Sequence, residues 1–219
     1  MAYSYQFPHP ALTVDAVLFT FSGNDLNALF IQRGKEPFKD KWAFPGGFVD
    51  ENETVEQAVK RELQEEVSLA VDNLEPFHIA SAPGRDPRGW TVSVVFAGFI
   101  GWDNRSAEAG DDAANAKWLP LHSVPYLAFD HRDILNRAKK YLQKLVRHSV
   151  IRKAVLPAVF LIEQLHAIYF EITGSTEESD KLIQRLIDSS VVVRHTYKDL
   201  YKFDPVNYEK LLATGYHEF

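Results

Sequence analysis

Residues 46–69 read GGFVDENETVEQAVKRELQEEVSL. From Glu53 to Ser68 there is no glycine or proline, so this part is predicted to be helical. With Val55 placed at 0° and ~100° added per residue, Val59 falls at ~40°, Leu63 at ~80° and Ala58 at ~300°. Those three mark the apolar, core-facing arc. Glu62 falls at ~340° and Glu66 at ~20°, inside that arc, with Glu65 at its edge at ~280°. An amphipathic helix ordinarily places its charges on the opposite side. A buried carboxylate needs a partner. Arg61, at ~240°, is not expected to satisfy three acids, so the pattern calls for cations. An all-oxygen ligand set selects a hard ion such as Mg²⁺ or Mn²⁺.

Working outward, Thr13–Phe21 and Leu26–Gln32 read as two strands joined by a turn. Residues Pro37–Gly47 read as a loop anchored by Trp42 and Phe44. Beyond the helix, Phe77–Ala82, Thr91–Ile100 and Ala116–Leu121 are predicted strands, with loops at Pro83–Gly89 and Asn104–Asn115. Asp130–Arg147 has helical periodicity through Ile134, Leu135, Ala138 and Leu142. The order implies a mixed α/β layered domain. After Pro157, Val159–Ile172 is predicted to be a helix ending at Gly174, then Ser179–Asp188 a shorter one. Val191–His195 and Leu200–Phe203 form a predicted hairpin. Helix, helix, hairpin is the order of a winged helix-turn-helix. The expected division is 1–148, ending in a connector helix over about 130–148, and 149–219.

The chain has 219 residues, a net charge of −6 and no cysteine. Disulfides and cysteine zinc sites are thereby excluded, and a cytoplasmic location is expected. No apolar run has the length of a membrane span, and the N-terminus lacks the pattern of a signal peptide, so no membrane partner is expected. Charge is uneven: −9 over residues 1–130, +5 over 131–148 and −2 over 149–219. The acidic part suits cations. The basic stretch suits phosphates or a solvated helix face.

The 46–69 segment resembles the Nudix box, G-x5-E-x7-R-E-U-x-E-E-x-G-U, where U is aliphatic. Gly47, Glu53, Arg61, Glu62, Leu63, Glu65, Glu66 and Leu69 match, and Ser68 replaces the second glycine. The resemblance implies an α/β/α sandwich with a mixed sheet. It implies that Glu62, Glu65 and Glu66 bind Mg²⁺ and carry the chemistry. Glu53 and Arg61 would brace the loop and helix, and Gly46 and Gly47 would let backbone approach the metal and a diphosphate. The implied reaction is hydrolysis of a diphosphate linked to another moiety.

Three further segments resemble the ADP-ribose pyrophosphatase branch and its relatives that regulate NAD metabolism: EPFKDKWAFPGGFV at 36–49, RDPRG at 85–89 with the strand after it, and AGDDAANAKW at 109–118 with LAFDHRDIL at 127–135. Arg85 and Arg88 are candidates for gripping a diphosphate or ribose, because guanidinium forks match phosphate oxygens. Asp112 is the leading candidate for a general base, with Asp111 and Glu108 as competitors. Phe38, Trp42 and Trp90 are candidates to stack on adenine. In the C-terminal unit, Lys181, Arg185, Arg194 and Lys198 are the candidate contacts to double-stranded DNA, although Glu177, Glu178 and Asp180 precede them. Two functions are therefore in play. One is an enzyme that cleaves ADP-ribose or a similar compound. The other is a DNA-binding regulator that senses such a compound. The completeness of the box favours the enzyme, and both families imply a homodimer.

Overall fold

The computed structural model describes residues 6–22, 25–101, 113–148, 156–197 and 199–213. β1 (Ala11–Ser22) is the spine of a seven-stranded mixed sheet. It runs parallel to β6 (Thr91–Phe99) and antiparallel to β2 (Asp25–Arg33). β2 also pairs with β7 (Ala113–Pro120), and β5 (Leu74–Ala80) closes the far edge beside β6. The side chains of β1 alternate between faces, as a pleated strand requires. Val14, Ala16 and Leu18 join one apolar cluster, and Val17, Phe19 and Phe21 join the other. A sheet buried on both faces needs a layer on each.

α1 (Val55–Val67) covers the first face with Ala58, Val59, Leu63 and Val67. α2 (His131–His148) covers the second with Ile134, Leu135, Ala138, Leu142 and Val146. The result is the α/β/α sandwich with a mixed sheet. The region expected to be loop from Pro37 contributes two short strands, β3 (Trp42–Ala43) and β4 (Gly46–Phe48). Their short length left no alternation to detect. β4 is held by β1 through the pairs Thr13–Phe48, Val14–Gly47 and Asp15–Gly46.

Past residue 156, β8 (Phe160–Leu161), α3 (Ile162–Thr173), α4 (Thr176–Asp188), β9 (Val192–Arg194) and β10 (Leu200–Phe203) form the winged-helix arrangement, its three strands ordered β8-β10-β9. Gly174 ends α3 in the left-handed conformation, as its composition predicts. α3 starts at Ile162 rather than Val159 because Phe160 and Leu161 pair with β10. α4 starts three residues earlier than expected because the Ser175 hydroxyl caps it, accepting the Glu178 amide. A last helix, α5 (Pro205–Ala213), was not anticipated, and Pro205 occupies its first position. Leu165, Ile168, Ile172 and Leu186 belong to the same apolar cluster as Phe19 and Leu142, so a continuous core runs from the sheet through α2 into the C-terminal helices. Among the described residues, no helix is long and apolar enough to cross a membrane.

Candidate functional site

α1 is fixed at both ends before any ligand is considered. Thr54 caps its N-terminus, with Gln57 completing a capping box. At the other end Ser68 adopts φ 56°, ψ 31°, the left-handed region in which glycine is favoured. The Ser68 and Leu69 amides still reach the carbonyls of Gln64 and Leu63. The departure from the box at Ser68 thus leaves the helix exit intact.

Arg61 is the hub of the box. Its Nη2 lies 2.7 Å from Glu53 Oε1 and donates to the Phe48 carbonyl at 3.0 Å. Its Nη1 donates to Glu62 at 2.9 Å and Glu65 at 3.1 Å. The long side chain lets one guanidinium reach Glu53, Glu62 and Glu65, but of the three acids Glu62, Glu65 and Glu66 it hydrogen-bonds only the first two, in line with the helix angles. Those hydrogen bonds, the one to Glu53 first, raise the Arg61 pKa, and the same bond holds the Glu53 carboxyl below its ordinary value. Glu53 also accepts the Asp50 amide at 2.7 Å, which ties the loop to the helix.

Glu66 stands apart from this network. Among the described residues it has no cation at ion-pair distance. Its carboxylate accepts the Gly46 amide at 2.8 Å. Burial pushes its pKa up to about 8, with the Glu62 and Asp15 carboxylates adding to the rise. Burial raises Glu62 as well. The glycines opposite are there for space. A side chain on Gly47 would place its Cβ 2.3 Å from Glu62 Oε1, and one on Gly46 would meet the Val14 carbonyl at 2.1 Å. Gly46 also has φ 153°. Glu62 and Glu66 line a cavity of about 310 Å³ with Gly46, Gly47, Arg33 and Arg88. Glu65 is on the outer side, its side chain 57% exposed beside Arg61. The ligand atoms of the three box glutamates do not all lie within 4.8 Å of one another; among the described residues, Asp25, His122 and Glu171 do, away from this cavity.

The two arginines of the RDPRG loop have different fates. The Arg85 side chain is only 5% exposed, and its Nε and Nη2 grip the Asp130 carboxylate at 2.9 and 2.8 Å. Asp15 lies 3.5 Å from the same Nη2. Arg85 is therefore braced against the start of α2, where it lines a smaller cavity with Gly46, Gly47 and Arg88. Arg88 pairs with Asp86 at 2.7 Å but remains 40% exposed at the cavity, with Phe48 and Phe129 rings 5.0 and 5.3 Å from its guanidinium carbon.

Sequence reasoning missed Arg33 and Phe129. Arg33 ends β2, donates to the Pro37 carbonyl at 2.8 Å and lies 4.7 Å from the Phe129 ring centroid. Its one signal was an arginine just before Gly34. Phe129 has φ 52°, a tertiary feature that no local pattern announces. Of the suggested adenine partners, Phe38 packs edge-on against Phe129 at 4.9 Å. Trp42 packs against the core, and Trp90 is 56% exposed and lines neither the large cavity nor the smaller one beside it. Asp112, Asp111 and Glu108 lie outside the described residues. In the C-terminal unit Lys181 pairs with Glu177 at 2.5 Å, Arg185 and Arg194 are exposed, and Lys198 lies outside the described residues.

A family model for the NUDIX domain matches residues 9–138. The chain is 32% identical over 190 residues to an "ADPR responsive transcriptional repressor NtrR" of Acinetobacter baylyi, covering 85% of this chain and 76% of that protein. It is 43% identical over 128 residues to an "ADP-ribose pyrophosphatase" of Methanocaldococcus jannaschii, covering 58% and 72%. Among solved structures, Shewanella oneidensis NrtR complexed with a 27mer DNA superposes with a TM-score of 0.71 at 28% identity, covering 90% of this chain and 95% of that one. With the sandwich, the Arg61-braced helix and the glycine-backed carboxylates in place, this chain belongs to the NUDIX family.

Proposed function

We propose that this protein is a divalent-cation-dependent hydrolase that cleaves the diphosphate of ADP-ribose or a related nucleoside diphosphate derivative. The observation that carries this reading is the pair Glu62 and Glu66, held against Gly46 and Gly47 at the floor of an open cavity. Two acids there, one with its pKa pushed up to about 8 and, among the described residues, no cation at ion-pair distance, form a donor set that fits Mg²⁺ or Mn²⁺. Glu62 and Glu66 would hold the ion, and Glu65 would join by turning away from Arg61. A bound cation would neutralise phosphate oxygens and lower the pKa of the attacking water.

The protein's own groups supply the rest. Arg88 and Arg33 present positive charge at the cavity, and Phe129 and Phe48 offer ring faces beside them. Water attacks one phosphorus, the bond from that phosphorus to the bridging oxygen breaks, and AMP and ribose 5-phosphate leave. Asp112 is the proposed base for that water.

A second reading is supported by the similarity to the NtrR repressor across 85% of the chain. In it residues 149–219 are a DNA-binding winged helix, the protein is a homodimer, and ADP-ribose is the effector. Lys181 already paired with Glu177 weakens this reading, and the intact box favours turnover. The deciding experiment is a hydrolysis screen over ADP-ribose, NADH, nucleotide sugars and dinucleoside polyphosphates with Mg²⁺. AMP release from ADP-ribose is expected. An unchanged substrate pool, together with salt-sensitive binding to a duplex from the gene's own upstream region that ADP-ribose weakens, would establish the regulator instead.

A further inference from the structure

The segment leading into α2 is tied to the stretch that precedes the glycine strand. Ala128 donates its amide to the Trp42 carbonyl at 2.8 Å, and Leu127 bridges Trp42 in parallel. One step along, the Phe44 amide donates to His131 Nδ1 at 2.9 Å. His131 is 4% exposed and its ring stacks on Phe44 at 5.4 Å. Its Nε2 faces Asp15 Oδ1 at 3.4 Å, and Asp15 is fixed in turn by the Ser93 hydroxyl at 2.6 Å. Phe44 leads directly into Pro45, whose carbonyl accepts the Ala16 amide at 2.8 Å, and then into Gly46, whose amide holds Glu66.

We infer that His131 is a positioning residue for the carboxylate pair. From the α2 side it fixes the segment that runs from Phe44 into β4, and so sets where the Gly46 amide meets Glu66. Burial lowers the His131 pKa, which keeps the ring neutral with a lone pair on Nδ1 for the Phe44 amide. Without that acceptor a buried amide is left unpaired, and the strand must shift to find another. The carboxylates would then lose their common floor. The inference rests on the cation-binding role proposed above for Glu62 and Glu66.

The test compares Mn²⁺ affinity, measured by titration calorimetry on the full chain, with steady-state kinetics on ADP-ribose. His131→Asn retains an acceptor near the Nδ1 position. His131→Leu removes it, and His131→Gln moves it one bond too far. Leu and Gln are expected to weaken Mn²⁺ binding by about 10- to 100-fold, the usual cost of disturbing a ligand's support. They should lower kcat by a similar factor while KM for ADP-ribose changes less than about threefold, because a misplaced cluster acts on the chemical step. Asn should recover most of both. Equal behaviour of Asn and Gln, or wild-type Mn²⁺ affinity in a folded Leu or Gln variant, would overturn the inference. Should Leu fail to fold, the Asn–Gln pair alone decides. A wild-type protein that binds Mn²⁺ but leaves every compound of the hydrolysis screen intact would refute the hydrolase reading and leave the affinity series to judge His131.

Discussion

α1 and α4 are two acidic helices of 13 residues with opposite meanings. α1 turns Glu62 and Glu66 toward the glycines of β4, where there is no room for a further side chain. α4 turns Glu177 and Asp180 outward, where Lys181 and His166 meet them at 2.5 and 3.1 Å. Composition does not separate the two. What separates them is the phase of the charges relative to the apolar arc: on α4, Ser179, Leu182, Ile183 and Leu186 are buried and the acids lie off that face. An acid on the solvated side is a solubility feature, whereas an acid on the buried side requires a ligand.

Matched substitutions are the most direct way to break this comparison. Glu66→Gln is expected to lower ADP-ribose turnover by well over the ~100-fold typical of losing a ligand's outer partner. The fold should survive, because a neutral amide replaces an acid that burial already disfavours as an anion. Asp180→Asn on α4 should leave turnover alone and change stability by less than about 1 kcal/mol, as for exposed ion pairs. Equal effects in kinetics and melting would show that the phase of the charges carries no information.

Gly46→Ala comes next in size. With φ at 153° and a Cβ 2.1 Å from the Val14 carbonyl, the backbone must move. A loss of at least about 2 kcal/mol is expected in urea unfolding, together with weaker Mn²⁺ binding. A fully stable variant with native affinity would mean that the glycine floor is not what places Glu66.

The pH dependence of stability sharpens the picture at the start of α2. The folded-state pKa of His131 lies below its ordinary 6.5, with burial the largest cause. The unfolded chain therefore takes up this proton first. The stability that depends on a neutral ring is complete above pH 6.5 and is lost as the pH falls toward the folded-state value. The slope from this group is at most about 1.4 kcal/mol per pH unit. Urea melts between pH 7 and 5 should show a shallower fall for His131→Asn than for the wild type, and identical profiles would count against a neutral buried ring.

The smallest effect is expected in the C-terminal half. The Tyr169 hydroxyl is buried and, among the described residues, has no hydrogen-bond partner. Burial accordingly raises its pKa. Tyr169→Phe should stabilise the protein by about 1 kcal/mol, in contrast to the site helix, where each polar removal costs function. A destabilised Phe variant would point to a partner for that hydroxyl in solution.

Periodicity made the layered α/β character legible, since strands of nine to twelve residues such as β1, β2 and β6 show their faces in sequence, and the resemblance to the Nudix box supplied the sandwich. β3 and β4 escaped because two or three residues cannot establish a period. α5 was missed although Asp204 and Pro205 do mark a helix start: the Asp204 carboxylate accepts the Val206 and Asn207 amides, and Pro205 takes the first helical position. Within the site, the carboxylates of α1 were legible because a helix converts fixed spacing into fixed direction, and Gly47, Glu53 and Leu69, outside the helix, were legible through the resemblance to the box. The two arginines of RDPRG were legible only as a pair. Their different fates depend on Asp130, 45 residues from Arg85, and on Asp86, two residues from Arg88.

The sequence by itself determined that carboxylates lie on the core-facing side of α1, that glycines precede them, and that helices and a hairpin follow the sandwich. These are local consequences of 3.6-residue and two-residue repeats. Only the tertiary structure decided that Arg61 hydrogen-bonds Glu53, Glu62 and Glu65 while Glu66, among the described residues, has no cation at ion-pair distance, that Arg85 turns inward, and that Arg33, Phe129 and His131 line a cavity with Gly46 and Gly47. The physical reason is that a side chain's role depends on which charge, ring or amide meets it across a gap in sequence, and that meeting is fixed by packing rather than by any property of the segment that carries it.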